Sequence, residues 1–199
     1  MVVFGAAFGL AAQKAGMGAW ASLVMSATTF AGSAQFAAAS ILSAAGGVAS
    51  AASAAILLNA RYLPIGISVA SAIRGRTPRR LAEAQLVVDE SWAFSRRRDG
   101  GFDRGILIGA GLVLYTCWLS GTAIGAFAGQ ALGSPESLGL DAAFAALFLA
   151  LLVSQIHSRR ALAAALLGGS IAFVLIPFTS PGVPIVAATA ACLVGWRRS

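Results

Sequence analysis

The apolar run from Val48 to Ile73 constrains this chain more than any other feature, because it contains a single charged residue, Arg61, together with Asn59. The run is long enough to cross a bilayer, since a spanning helix needs about 20 predominantly apolar residues. An arginine inside a span costs about 2.5 to 3.5 kcal/mol on insertion scales unless it faces protein, water or the lipid headgroups. The run therefore predicts a membrane protein with a polar site inside it.

The composition points to the same class of protein. Hydrophobic residues make up 58% of the chain and charged residues only 11%, whereas about 25% are charged in an ordinary soluble domain. At about 20 residues per span, the chain has room for about six or seven membrane segments and for no separate soluble domain. We expect an all-α, polytopic membrane helical bundle that forms one domain over residues 1–199.

The apolar runs give the candidate spans. These are Val2 to Gly16, Met17 to Gly47, Val48 to Ile73, Gly105 to Gly129, Gly139 to Ile156, Ala161 to Phe178 and Val183 to Trp196.

The net charge of +7 comes from arginines beside these runs, which is typical of topology determinants rather than of a nucleic-acid surface. We expect no nucleic-acid partner. Cytoplasmic loops carry the excess of Lys and Arg, so the basic segment Arg74 to Arg104 and the C-terminus are predicted to be cytoplasmic.

Part of the basic segment has a helical pattern. Its apolar residues Leu81, Ala84, Val88 and Trp92 recur at helical spacing, and the Thr77–Pro78 pair is typical of a helix start. We predict one amphipathic helix from Pro78 to Ser95 on the cytoplasmic membrane surface. Its arginines are expected to contact lipid headgroups.

The segment from Met17 to Gly47 is longer than one straight crossing needs. Glycine, β-branched and hydroxyl residues concentrate in its middle, which predicts a broken or re-entrant helix near Gly32. The alternative is a single tilted helix in which Ser33, Ser40 and Gly47 form a small-residue packing seam. The composition alone does not decide between the two.

A second interruption is predicted from Asn59 to Pro64. Pro64 removes a helical hydrogen bond and disfavours helical geometry at Leu63. Two interrupted helices suggest a binding site between them.

The candidate substrate-binding residues lie at these interruptions, with one acidic residue from a later span. They are Thr29, Gly32, Ser33, Gln35, Asn59, Arg61 and Asp141. Asp141 either caps its own helix or serves as a titrating or ammonium-binding carboxylate.

Neither a catalytic nor a metal site is expected. The single histidine, His157, lies beside two arginines at a helix end, and Cys117 and Cys192 lie in apolar runs without metal-ligand spacing. We therefore expect no enzyme activity and no cofactor.

The glycines Gly121, Gly125 and Gly129 follow each other at steps of four residues. Such a stripe lets another helix approach backbone to backbone. That helix can belong to this chain or to a partner, and a substrate contact is the remaining alternative.

Several segments together resemble one known family. They are Phe30 to Ala38, Leu58 to Tyr62, Asp89 to Phe94, Trp118 to Gly125 and Leu138 to Phe148. In order and at similar separations they resemble the AzlC family, the large subunit of bacterial branched-chain amino-acid exporters.

The resemblance implies an exporter in the bacterial inner (plasma) membrane, with a small AzlD-like membrane subunit as its partner. The implied substrates are valine, leucine, isoleucine or related apolar amino acids such as methionine. Arg61, or a half-helix N-terminus at Gly32 to Gln35, would hold the substrate carboxylate. Asp141 would face the ammonium, and apolar side chains would surround the tail.

The energy source follows from an absent motif. The sequence contains no nucleotide-binding GxxxxGK[ST], so we expect a secondary-active exporter driven by a proton or ion gradient. The alternative is a small-solute channel or pore, in which Asn59 and Arg61 would form the constriction.

Overall fold

The computed structural model describes residues 1–128, 158–179 and 183–191, and five isolated residues numbered 146, 149, 152, 153 and 156. The described residues form helices joined by short connections, with one antiparallel bridge between Arg96 and Phe102. The all-helical fold class is thereby confirmed for this part of the chain.

Eight helices occupy residues 1–128. They are α1 (Val2–Lys14), α2 (Ala19–Thr29), α3 (Gly32–Ser43), α4 (Val48–Asn59), α5 (Tyr62–Val69), α6 (Thr77–Ala84), α7 (Asp89–Ser95) and α8 (Arg104–Ala128). Farther along the chain lie α9 (Arg159–Leu175), α10 (Val183–Ala188) and a short 3-10 turn at Thr189–Ala191.

Two described segments are long and apolar enough to cross a membrane, Val48–Val69 and Arg104–Ala128. The number of about six or seven spans stays a prediction. Most of the candidate span Gly139 to Ile156 lies outside the described residues.

Helices α1 and α8 pack backbone to backbone through glycines on both sides. A Cβ added at Gly5 or Gly9 would lie within 3.0 Å of backbone atoms of α8, which real side chains almost never do. In the same way, a Cβ at Gly121 or Gly125 would collide with backbone carbonyls of α1. The glycine stripe is therefore used inside this chain as far as Gly125, and Gly129 lies outside the described residues.

Three aromatic rings from α1, α3 and α8 form the centre of the core. The Phe8 ring stacks on Trp118 with a centroid distance of 6.2 Å, and Phe36 meets Trp118 edge to face at 6.1 Å. Phe8 and Phe36 also contact each other at 5.7 Å. Aromatic pairs at these distances stabilise beyond the area they bury, so Trp118 is held on two sides.

The helix break predicted near Gly32 is present, and the alternative of one continuous helix is wrong. Helix α2 ends at Thr29, Phe30 adopts a left-handed conformation (φ 37°, ψ 52°) and Ala31 is extended. Helix α3 then begins at Gly32. The re-entrant course of this segment in a membrane stays a prediction.

The second interruption is milder than expected. Ala60 and Arg61 keep right-handed angles between α4 and α5, and the Leu63 amide donates to the Ala60 carbonyl at 3.1 Å in a tight turn. Leu63 is helical, so the prediction for its geometry is wrong. Pro64 falls in the first turn of α5, where a missing N–H leaves little unsatisfied.

The single amphipathic helix predicted from Pro78 to Ser95 is also wrong, because the segment forms α6 and α7 with a link at residues 85–88. The link turns into the protein body, and Val88, 5% exposed, joins the aromatic core cluster. Its backbone N–H donates to Ser91 Oγ at 2.9 Å, which starts α7. For α6, both the location at the membrane surface and the cytoplasmic side stay predictions.

A charge cluster fastens α6 to the start of α8. Glu83 accepts hydrogen bonds from Arg79 Nε at 2.8 Å and from Arg104 Nε at 3.0 Å. The hydrogen bond from the Arg104 guanidinium, and to a smaller extent that from Arg79, holds the pKa of the Glu83 carboxyl below its ordinary value.

Much of the described surface is apolar. Trp20, Val48, Ile67, Phe173 and Phe178 are each 75% to 80% exposed. Large exposed apolar side chains on several helices are typical of a surface that meets lipid or another protein.

Gly125→Ala is expected to lower the stability of the protein by about 1 to 3 kcal/mol, the usual cost of overpacking, because the added methyl meets the α1 backbone. The measurement is the melting temperature of the detergent-solubilised protein. Gly109→Ala is the matched control on the same helix, since nothing lies within 4 Å of a Cβ added there. Equal melting temperatures for both variants would show that the α1–α8 seam accepts a side chain.

Candidate functional site

A cavity of about 210 Å³ lies where the α2–α3 break meets α5, α7 and α8. One water needs only about 10–15 Å³ of such space, so the cavity has room for a small organic molecule. Its apolar wall consists of Met1, Phe4, Phe30, Phe36, Val88 and Trp118. Its polar lining consists of Ser33, Arg61, Tyr62, Asp89 and Glu90.

Arg61 connects the three elements around the cavity. Its Nη2 donates to Ser33 Oγ on α3 at 2.9 Å and lies 3.0 Å from Asp89 Oδ2 on α7. The guanidinium also lies over the ring of Tyr62, 5.2 Å from its centroid. The tight turn before α5 places Arg61 against protein, and its buried Nε has no hydrogen-bond partner within the described residues.

The first turn of α3 forms another part of the lining. Ala31, the residue before α3, offers no side chain that could cap the helix, and Gly32 and Ser33 both line the cavity. The first N–H groups of a helix have no partner within it, and they favour negative charge. This end of the cavity is therefore suited to an anion.

Gly32, Ser33 and Arg61 are the predicted site residues that the structure brings together. Thr29 and Asn59 lie beside lining residues without lining the cavity themselves. The buried Asn59 Oδ1 makes no hydrogen bond to any described residue. Asp141 lies outside the described residues.

Gln35 belongs to a buried hydrogen-bond network rather than to the cavity lining. Its Nε2 donates to Ser26 Oγ at 3.0 Å, and Ser26 also contacts Thr122 Oγ1 at 2.9 Å and the Trp118 indole N–H at 3.3 Å. The network joins α2, α3 and α8 across the break. Gln35 is therefore linked to the wall residue Trp118 through Ser26, which accepts from both.

Asp89 and Glu90 are cavity residues that were absent from the predicted site. The sequence carried one signal for them, which is their position in the matching segment Asp89 to Phe94. The predicted surface helix gave no reason to place these carboxylates in a site, because a carboxylate at a membrane surface needs no internal partner.

Metal binding has no support in the described ranges, where no group of three or more His, Cys, Asp or Glu side chains could hold an ion.

The described helices, two segments of which are long and apolar enough to cross a membrane, and the cavity are those expected of a helical membrane protein with a small, partly charged site at a helix break. The chain belongs to the AzlC family, whose model, described as AzlC protein, matches residues 1–132.

Two relatives illustrate the membership. The chain is 31% identical over 193 residues to a protein of Archaeoglobus fulgidus described as an uncharacterized membrane protein. The aligned region covers 95% of this chain and 85% of that protein. It is 30% identical over 154 residues to the branched-chain amino acid transport protein AzlC of Bacillus subtilis. That aligned region covers 76% of this chain and 60% of the Bacillus subtilis protein. No solved structure gives a significant match.

Gly32→Leu is expected to abolish ligand binding in the cavity, because a Cβ at Gly32 would already lie 3.1 Å from Trp118 Cη2 and the rest of the side chain would fill the space. The measurement is transport of labelled amino acids by the variant in proteoliposomes. Gly66→Leu on α5 is the control, since no atom lies within 4 Å of a Cβ there. Transport by Gly32→Leu at the wild-type rate would separate the cavity from the transport route.

Proposed function

We propose that this protein is a secondary-active exporter of branched-chain amino acids, namely valine, leucine, isoleucine or related apolar amino acids such as methionine, across the bacterial inner membrane. The observation that carries the proposal is the cavity at the α2–α3 break, which combines Arg61 with aromatic walls. The name of the Bacillus subtilis relative, a branched-chain amino acid transport protein, supports the substrate class.

The anionic end of an amino acid fits the Arg61 side of the cavity. A planar guanidinium binds a carboxylate through two N–H groups, and Arg61 Nε has no partner among the described residues. The uncapped first turn of α3 adds backbone N–H groups nearby. Together they provide a site for the substrate carboxylate.

The apolar tail fits the aromatic wall. Phe30, Phe36 and Trp118 line the cavity, and binding sites for small molecules are lined mostly by such side chains. An aliphatic tail there gains hydrophobic free energy of about 0.8 kcal/mol per buried CH₂ group. This gain would separate leucine from smaller or polar amino acids.

The remaining proposed site residues complete this arrangement. Thr29, Gln35 and Asn59 each lie within two residues of a lining residue, where a small rearrangement would bring them to the substrate. Asp141, outside the described residues, is proposed to face the substrate ammonium at another stage of transport.

The position of the cavity supports export. Asp89 and Glu90 come from the basic segment that the arginine distribution predicts to be cytoplasmic. A cavity beside that segment would take up substrate from the cytoplasm, as an exporter must. We accordingly propose a multi-pass protein with a cytoplasmic C-terminus.

Proteoliposome assays with labelled valine, leucine, isoleucine and methionine test the function. We expect saturable uptake and counterflow, because a carrier exchanges trapped substrate. Arg61→Lys and Arg61→Ala are each expected to lower transport about tenfold or more, since a hydrogen bond to a charged group contributes about 1.5–3 kcal/mol.

Arg80→Ala is the matched control, because Arg80 is exposed on α6 and does not line the cavity. Flux without saturation or counterflow would indicate a pore instead of a carrier. Full activity of both Arg61 variants would remove Arg61 from the site.

We also propose that the chain works with a small AzlD-like membrane subunit. The α8 glycines are occupied by α1 as far as Gly125, so the partner would use exposed apolar surface such as that around Trp20. Co-expression is expected to give a complex with a higher transport rate or melting temperature than the chain alone. Equal transport with and without the partner, and no co-purification, would contradict the two-subunit proposal.

A further inference from the structure

We propose that Glu90 recognises the ammonium group of the substrate, so that the cavity selects α-amino acids with a free amine. This inference rests on the proposed function and adds a specificity-determining residue to it.

Glu90 is a cavity carboxylate that is not part of the ion pair beside it. Arg61 Nη2 and Asp89 Oδ2 are paired at 3.0 Å. The Glu90 side chain lines the same cavity, yet it makes no ion pair or hydrogen bond with any described residue.

The surroundings make that carboxylate a binding group for a cation. Aromatic side chains line the same cavity, and a charge beside apolar surface is costly until it is paired. An ammonium group bound at Glu90 would supply a partner for its carboxylate. Asp89 would keep its contact with Arg61 or share the ammonium.

The presence of both kinds of charge in one small cavity favours an α-amino acid. In such a molecule one carbon separates the ammonium from the carboxylate, so the groups that bind them must belong to the same site. Arg61 and Glu90 line the same cavity, and Arg61 pairs with Asp89, the residue before Glu90.

Asp89 and Glu90 also occupy the first turn of α7, where negative charge stabilises a helix through its dipole. This structural role predicts an effect of Glu90 on stability and none on ligand selectivity. The two roles are therefore separable by experiment.

The experiment measures equilibrium binding to the purified full chain by ligand-induced change in tryptophan fluorescence, since Trp118 lines the cavity. The probes are leucine, 4-methyl-2-oxopentanoate, which has the carboxylate without the amine, and 3-methylbutylamine, which has the amine without the carboxylate. We expect the wild type to bind leucine at least about tenfold more tightly than either analogue, because each analogue forfeits one charge-assisted contact.

Glu90→Gln is expected to weaken leucine binding about tenfold while the affinity for the oxo acid stays the same, because only leucine carries the ammonium. Asp99→Asn is the control, since Asp99 is 63% exposed, lies 3.5 Å from Arg97 and does not line the cavity. It is expected to bind all three probes as the wild type does.

Equal affinity of the wild type for leucine and the oxo acid would overturn the inference, and this result needs no variant to fold. A Glu90→Gln protein that keeps the wild-type preference would overturn it as well. In both cases leucine would still be bound and transported, so the proposed function would survive. If the wild type neither binds nor transports any of the four labelled amino acids, the proposed function fails and the inference with it.

Discussion

The backbone groups that the α2–α3 break leaves without helical partners are the constraint on which the rest of the structure depends. Away from water such groups must be satisfied by the protein itself. Gln85 Nε2 donates to the carbonyls of Ala27 and Thr28 at 3.1 and 2.9 Å, and the Tyr115 hydroxyl donates to Ala27 at 3.0 Å. These bonds draw the α6–α7 link inward, which carries the first turn of α7 to the cavity.

The break also explains why charge gathers at this point of an otherwise apolar chain. The carbonyl end of α2 receives neutral donors, whereas the amide end of α3 faces the cavity beside Arg61. A guanidinium next to positive helix ends is unfavourable by itself. Asp89 compensates at 3.0 Å, so α7 is required electrostatically as well as for packing.

Local sequence patterns predicted the local structure well. The apolar runs gave α1 and α8 nearly to their ends, and the glycine and hydroxyl residues indicated the break near Gly32. Contacts between distant segments were not predictable in this way. The residues on each side of the link are helical, as the period from Pro78 to Ser95 predicts. At the link, however, the side chain of Gln85 donates to carbonyls 57 and 58 residues earlier in the chain. The carboxylates of the site were missed for the same reason, because no local pattern shows what Arg61 will meet.

The glycine seam between α1 and α8 has a consequence for how the chain is made. Helix α1 is made before its closest neighbour, α8, which follows only after about ninety further residues, at an elongation rate of about 5–20 residues per second. During that interval the α8 backbone that packs against Gly5 and Gly9 has not yet been made. The Trp118 side chain, which α8 brings to the core, is also missing. Helix α1 is thus made early but reaches its closest neighbour late, and the cavity, which Trp118 helps to line, comes into existence at that same late moment.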